Sequence, residues 1–126
     1  MKAPQRELNI SVKDSLFDPD RPDEKVVQVR RSQKERSLYR VFLYLDGLDL
    51  PFVSNVTYRL HETFSPSTRT IARTPSNPRC KIDIWTWGVF AVNSVIEDKQ
   101  GGTFTMSHRL EYAEHLDEAG IEYRSM

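Results

Sequence analysis

The segment TFTMSHRLEY, residues 103–112, alternates strictly between two kinds of side chain. One parity carries Phe104, Met106, His108, Leu110 and Tyr112. The other parity carries only threonine, serine, arginine and glutamate. Successive side chains of a β-strand point to opposite faces, so this period of two residues is typical of a strand with one buried face. The segment therefore predicts a half-buried strand near the end of the chain.

Other short segments of the chain are also typical of strands, and turn residues separate them. They are residues 8–12, 26–29, 38–45, 55–61, 69–72 and 82–96, the last interrupted at Gly88. The third of these, LYRVFLYL, is apolar on both parities, which indicates a central strand covered on both faces. About eight short strands with turn signals about every 8–12 residues predict an all-β antiparallel sandwich.

A length of 126 residues suits one domain, and we interpret residues 1–126 as a single sandwich. Residues 1–37 would supply the first strands and a basic loop, and residues 113–126 a tail or short helix. A helical turn is expected around residues 113–119, with Gly120 ending it. The basic stretch VRRSQKER, residues 29–36, is interpreted as a solvated loop, with a phosphate-binding patch as the alternative.

Charge and apolar content exclude several classes of protein. Eighteen basic and eighteen acidic residues cancel, so the chain lacks the basic surplus that binding to nucleic acid or to an anionic membrane needs. No apolar run approaches the ~18 residues of a membrane span, and the N-terminus lacks the apolar segment of a secretory signal. A single cysteine excludes an internal disulfide. These features predict a cytoplasmic domain with no membrane or nucleic-acid partner.

The histidines do not predict a metal site or a catalytic centre. His61, His108 and His115 have no metal-ligand spacing such as His-x-x-x-His. His61 and Glu62 are neighbours on a predicted strand, so their side chains would point to opposite faces and could not act on one atom. Because no glycine-rich phosphate loop is present either, we predict no enzyme activity, no catalytic residue, no metal and no cofactor.

The single cysteine lies between two basic residues. Cys80 lies between Arg79 and Lys81, and neighbouring cations lower the pKa of a thiol. No histidine accompanies it in a recognisable nucleophile motif. We therefore expect a cysteine in a surface loop rather than a reactive nucleophile.

Four segments of the chain resemble, in order and spacing, the YEATS domain family. They are RVFLYLDG, NVTYRLHETFSPSTR, TWGVFAV and FTMSHRLEY, and together they cover roughly residues 38–112. The resemblance is most specific at LHETF, residues 60–64, and at WGVF, residues 87–90. It implies an immunoglobulin-like antiparallel β-sandwich. The chain looks most similar to the prokaryotic type of YEATS domain.

The resemblance implies a non-catalytic module that binds acylated lysine, with acetyl- or crotonyl-lysine as the ligand. Phe64 and Trp87 would be two aromatic walls that sandwich the planar acyl-amide. Thr63 would hydrogen-bond the amide through its hydroxyl, and His61 would line the same end of the pocket. The backbone around Trp87 and Gly88 would contact the acyl carbonyl or chain.

One departure from the family pattern leaves a second function open. Thr86 stands directly before the aromatic residue, where the family often has glycine, and a branched side chain there could narrow the pocket. The alternative is a protein-interaction domain of a bacterial signalling or defence system that keeps the fold without binding acyl-lysine. Phe64 and Trp87 would then pack against each other.

Overall fold

The computed structural model of the chain describes residues 8–21, 23–31, 36–116 and 121–125, which form nine strands. The strands are β1 (Ser11–Ser15), β2 (Val26–Arg31), β3 (Ser37–Asp46), β4 (Val53–Arg59), β5 (Thr68–Ala72), β6 (Ile82–Thr86), β7 (Ala91–Asp98), β8 (Thr103–Arg109) and β9 (Glu122–Ser125). Two short 3-10 helices span Leu50–Phe52 and Tyr112–His115. The described part of the chain contains no α-helix.

Two sheets build the domain. One sheet has the order β5-β4-β7-β8, and all of its strand pairs are antiparallel. In the other sheet β3 is central: Tyr39 pairs with both Val29 of β2 and Thr86 of β6, so those two strands flank it on opposite edges. Strand β1 shares the β2 edge further along β3. The all-β, immunoglobulin-like antiparallel sandwich predicted from the sequence is confirmed.

Alternate residues of the strands build the core between the sheets. Buried side chains include Val41, Leu43 and Leu45 of β3, Val56 and Tyr58 of β4, Ile84 of β6, and Val92 and Ile96 of β7. Strand β3 also buries Phe42, which has the opposite parity, so this strand is covered on both faces as its sequence predicts. Strand β8 keeps the predicted alternation, because its even-numbered residues are half-buried and its odd-numbered residues exposed.

Several strand boundaries differ from the pattern in the sequence. Strand β1 begins at Ser11 rather than at Leu8, because its ladder with β3 starts where Ser11 pairs with Asp46. Strand β4 ends at Arg59, so His61 lies in the following loop and not on the strand. A positively charged stretch predicted as a loop, residues 29–36, starts instead within β2, which continues to Arg31.

The C-terminal segment contains a strand that the sequence pattern did not indicate. A 3-10 helix spans Tyr112–His115, and β9 then pairs in parallel with β2. The first part of the helical turn expected at residues 113–119 is this 3-10 helix, whereas residues 117–119 and the stop expected at Gly120 lie outside the described residues. All four residues of β9 are exposed, so no apolar alternation marked it. Backbone pairing with β2 defines this strand, and the hydroxyl of Tyr123 adds a hydrogen bond to the carbonyl of Leu116.

Cys80 is buried, and the expectation of a surface-loop cysteine was wrong. The hydroxyl of Tyr58 donates to the carbonyl oxygen of Cys80 at 2.8 Å, which draws the loop into the core. The backbone of Cys80 adopts a left-handed φ of 51°. Burial raises the pKa of the thiol to about 11, although the neighbouring Arg73 acts in the opposite direction.

Two consequences for Cys80 can be measured. We expect the thiol of the folded domain to react with a thiol reagent at pH 8 at least about a hundredfold more slowly than that of the urea-unfolded chain. The folded state also keeps the proton above the usual pKa of 9.0, so the free energy of unfolding should decline as pH rises from about 9 to about 11. Rapid labelling of the native domain at pH 8 would contradict the buried placement.

A buried carboxylate ties the two sheets together near one end of the sandwich. Asp14 of β1 has a side chain with 0% exposure, and its Oδ1 lies 2.5 Å from Nε2 of His108 on β8. The same carboxylate accepts the backbone N–H groups of Glu111 at 2.9 Å and of Tyr112 at 2.8 Å. Asp14 thus holds in place the backbone of Glu111 and Tyr112, where the 3-10 helix after β8 begins.

Candidate ligand-binding site

Two loops that carry the predicted site residues meet at one end of the sandwich. Strands β4 and β7 are antiparallel, and Arg59 pairs with Asn93, so the end of β4 lies beside the start of β7. The loop after β4, residues 60–67, is therefore adjacent to the loop before β7, residues 87–90. Because β6 belongs to the other sheet, residues 87–90 cross from one sheet to the other.

The first loop is closed by backbone hydrogen bonds. The N–H of Leu60 donates to the carbonyl of Ser67 at 2.7 Å, and the N–H of Phe64 donates to the carbonyl of His61 at 3.0 Å. The turn within it leaves His61 and Thr63 exposed at the surface of the domain, while Phe64 is half-buried. Residues 60–67 therefore form a loop and do not continue β4.

His61 and Thr63 form a hydrogen-bonded pair whose polarity can be assigned. The backbone N–H of Thr63 donates to Nδ1 of His61 at 3.3 Å, so Nδ1 carries a lone pair. The hydroxyl of Thr63 lies 3.0 Å from the same Nδ1 and must therefore be the donor in that contact. As a result, Oγ1 of Thr63 keeps its own lone pairs to accept a hydrogen bond from another group.

An aromatic cluster lies beside this pair. The ring of Phe90 is 5.4 Å from that of Phe64, at an interplanar angle of 46°, and 6.1 Å from that of His61. Phe64 and Phe90 are half-buried and pack against the core. Phe90 therefore joins the two loops, since it sits at the end of residues 87–90 and contacts both rings of the first loop.

The second loop is held from inside by hydroxyl groups. Thr86 is 6% exposed, and its hydroxyl donates to the carbonyl of Gly88 at 3.0 Å and accepts the Gly88 N–H at 3.3 Å. The buried Tyr112 donates its hydroxyl to the same carbonyl at 3.0 Å. Burial raises the pKa of Tyr112, so its hydroxyl stays a donor through the neutral range. Thr86 lies beneath the loop rather than at its surface.

Gly88 offers free space on the outer side of this loop. A Cβ atom placed on Gly88 would meet no other atom within 4 Å, so packing does not require glycine at this position. Because the carbonyl and N–H of Gly88 are both engaged by Thr86, a ligand would contact this residue through its open Cα side.

Trp87 is one of the most exposed apolar side chains of the described residues, at 60%. The guanidinium carbon of Arg36 lies 4.0 Å from its ring centroid, and that of Arg30 lies 4.5 Å from the ring centroid of Trp85. Strand β6 ends at Thr86, so Trp87 has left the strand, whereas Trp85 remains on it. Each tryptophan is thus stacked under its own arginine.

The structure brings His61, Thr63 and Phe64 together on one loop and Trp87 and Gly88 on the other, and it places Thr86 at the end of β6 beneath the second loop. Within the described part of the chain, the ring contacts of Phe64 include Phe90 and none to Trp87. Sequence reasoning missed Phe90, Tyr112 and Arg36. Phe90 belongs to the WGVF segment and could have been recognised there as a site residue. An aromatic residue just before a strand is, however, more often a core residue.

The described residues form neither a metal-binding cluster nor a membrane-spanning helix. Those residues contain no group of three or more His, Cys, Asp and Glu side chains suited to a metal ion. They also contain no helix long and apolar enough to cross a membrane. A polar cleft of about 560 Å³ lies away from both loops, where charged side chains of residues 21–25 face Glu122 and Arg124. The candidate site is therefore an open surface between two loops rather than this cleft.

The chain is similar to YEATS domains of known sequence and known structure. The model of the prokaryotic YEATS domain matches residues 39–111. No curated protein matches the chain. Among solved structures, the Yaf9 YEATS domain recognizing an H3K122suc peptide has a TM-score of 0.53 and 13% identity over 90% of this chain and 82% of its own. The Yaf9 YEATS domain bound to H3K27ac has a TM-score of 0.50 and 15% identity over 86% and 78%.

A third structure, of the yeast AF-9 homolog protein Yaf9, has a TM-score of 0.52 and 19% identity. Its alignment covers 64% of this chain but only 55% of the Yaf9 chain, so this chain spans about half of that relative. Likeness at such identities establishes the fold alone. The family model is the evidence for membership, because residues 39–111 are more than half of the chain and include both loops of the candidate site. The chain belongs to the prokaryotic YEATS domain family.

Proposed function

We propose that this domain is a non-catalytic reader of acylated lysine, with acetyl- or crotonyl-lysine of a cytoplasmic protein as the ligand. The observation that carries the proposal is the hydroxyl of Thr63, which donates to His61 and keeps its lone pairs beside an aromatic cluster. An acyl-lysine side chain has one amide N–H, and this group can donate a hydrogen bond to Oγ1 of Thr63. Yaf9 YEATS domains bound to acylated histone peptides support the same class of ligand.

The aromatic side chains would supply most of the binding energy. Trp87 would stack on the planar amide, and Phe64 with Phe90 would contact the acyl chain from the first loop. Each aromatic contact contributes about 0.5–1.5 kcal/mol beyond the burial of area, and each buried methylene about 0.8 kcal/mol. Unmodified lysine would have to desolvate an ammonium group against these aromatic rings, so it should be rejected.

The alternative, an interaction domain without acyl-lysine binding, requires Phe64 and Trp87 to close on each other. Among the described residues their ring contacts are instead with Phe90 and with Arg36. Trp87 remains largely exposed, and Gly88 leaves open space beside it. These observations favour the reader over the closed form.

Replacing Thr63 by valine and by serine tests the proposal. Thr63→Val keeps the shape but removes the hydroxyl, and we expect about five- to tenfold weaker binding of a crotonyl-lysine peptide, since a hydrogen bond contributes about 0.5–1.5 kcal/mol. Thr63→Ser keeps the hydroxyl and should bind within about twofold of the wild type. NMR titration measures both affinities. Equal binding by the valine variant would show that the hydroxyl does not contact the ligand.

A further inference from the structure

Arg30 makes an unusual contact across the surface of the larger sheet. Strands β2 and β6 lie on opposite edges of β3, and Arg30 reaches from β2 over β3 to stack on Trp85 of β6. The side chain of Arg30 is exposed. Stacking uses the flat face of a guanidinium and leaves its in-plane N–H donors available.

Arg40 shows what these in-plane donors bind elsewhere on the same sheet. Its guanidinium lies over the ring of Phe42, with 4.9 Å from Cζ to the ring centroid. Its Nε donates to Oδ2 of Asp83 at 2.9 Å, and its Nη1 donates to Oε1 of Gln28 at 2.8 Å. Arg30 has the same stacked arrangement, but no carboxylate of the described residues lies within ion-pairing distance of it. The in-plane N–H groups of the Arg30 guanidinium therefore face solvent.

The stacked arginines adjoin the candidate site. Trp85 and Trp87 are two residues apart, a distance of about 7 Å along an extended chain. The guanidinium of Arg36 lies over Trp87, and that of Arg30 lies over Trp85. We call these four residues the basic strip. It continues directly from the loop that would stack on an acyl-amide.

We propose that the basic strip binds a carboxylate side chain of the same partner segment whose acyl-lysine enters the candidate site, so that the partner is an acidic peptide segment. This inference rests on the proposed function. A guanidinium fork matches a carboxylate in a bidentate manner, and stacking on Trp85 holds the fork of Arg30 in place. An extended segment advances about 3.3–3.6 Å per residue, which places the carboxylate within a few residues of the acyl-lysine.

A peptide fits this surface better than nucleic acid does. The chain has equal numbers of basic and acidic residues, whereas binding to a phosphate backbone depends on a net positive surface. The strip also adjoins a site proposed for a lysine side chain, which is a feature of proteins. A single-stranded oligonucleotide serves as the competing ligand that tests this preference.

The test compares two crotonyl-lysine peptides that differ only in having glutamate or glutamine on both sides of the modified residue. We expect the glutamate peptide to bind the wild type about three- to fivefold more tightly at low salt, as an exposed ion pair allows, and to lose that advantage in high salt. Arg30→Gln should abolish the difference. Arg31→Gln is the matched control, because Arg31 is the exposed neighbour on β2 whose side chain points to the opposite face.

The outcomes separate this inference from the proposed function. Equal binding of the two crotonyl peptides would overturn the acidic partner and leave acyl-lysine binding intact. Failure of both peptides to bind better than their unmodified-lysine versions would instead overturn the proposed function. Binding of a single-stranded oligonucleotide that Arg30→Gln abolishes, with no discrimination between peptides, would replace the acidic peptide by a phosphate ligand.

Discussion

Trp87→Ala is expected to weaken the binding of a crotonyl-lysine peptide at least about tenfold while leaving the domain folded. The side chain is 60% exposed, so the fold loses little buried area when it is removed. The ligand would lose the stacking contact and much of the area that its acyl chain buries, which together exceed about 1.4 kcal/mol. Calorimetric titration measures the affinity, and thermal unfolding confirms that the variant is folded.

Phe52→Ala is the matched control for this change. Phe52 is an aromatic side chain with a similar exposure of 56%, and it precedes β4, at the opposite end of that strand from the candidate site. It should leave peptide affinity unchanged. Wild-type affinity in Trp87→Ala would show that the tryptophan is not part of the site, and equal losses in both variants would show that the effect is not local.

Asp14→Ala is expected to cost the domain about 2–4 kcal/mol of unfolding free energy. The carboxylate has 0% exposure, and it accepts two backbone N–H groups and contacts His108. Alanine would leave those N–H groups and the His108 ring without the carboxylate, and each buried group left unpaired costs about 1–3 kcal/mol. Urea unfolding followed by circular dichroism measures the change.

Asp46→Ala provides the comparison, because Asp46 lies on β3 and its ion pair also involves a residue of β1. Asp46 forms an ion pair with Lys13 at 3.1 Å, but both side chains are well exposed, so its loss should cost less than about 1 kcal/mol. Equal destabilisation by the two alanine variants would show that burial of Asp14 does not set its contribution. A stable Asp14→Ala variant would show that the contact between β1 and β8 is dispensable.

Alternation of side chains made most of the sheet architecture predictable. Strand β8 was recognisable because its inner and outer residues differ sharply in polarity, and β3 because both of its faces are apolar. Strand β9 could not be predicted, since all four of its residues are exposed and only backbone pairing with β2 defines it. Cys80 was expected in a surface loop because no histidine accompanies it in a nucleophile motif, but Tyr58 anchors it in the core through a contact that leaves no local pattern.

Only part of the candidate site was predictable, and family resemblance rather than side-chain alternation made it so. The LHETF and WGVF segments identified two loops by resemblance, not by periodicity, and the topology then placed those loops at one end of the sandwich. The roles of Phe90, Tyr112 and Arg36 depend on contacts between residues far apart in sequence. Such contacts leave no local pattern, because the partners belong to different strands and loops.

Affinities of the wild-type domain for one peptide in its crotonyl-lysine and unmodified-lysine forms decide whether the domain reads acyl-lysine. We expect measurable binding of the crotonyl form, in the micromolar to millimolar range, and at least about tenfold weaker binding of the unmodified form. NMR titration would also show shifts at His61, Thr63 and Trp87. Equal affinity for the two forms, or no binding of either at millimolar peptide, would contradict the assignment of this domain as an acyl-lysine reader.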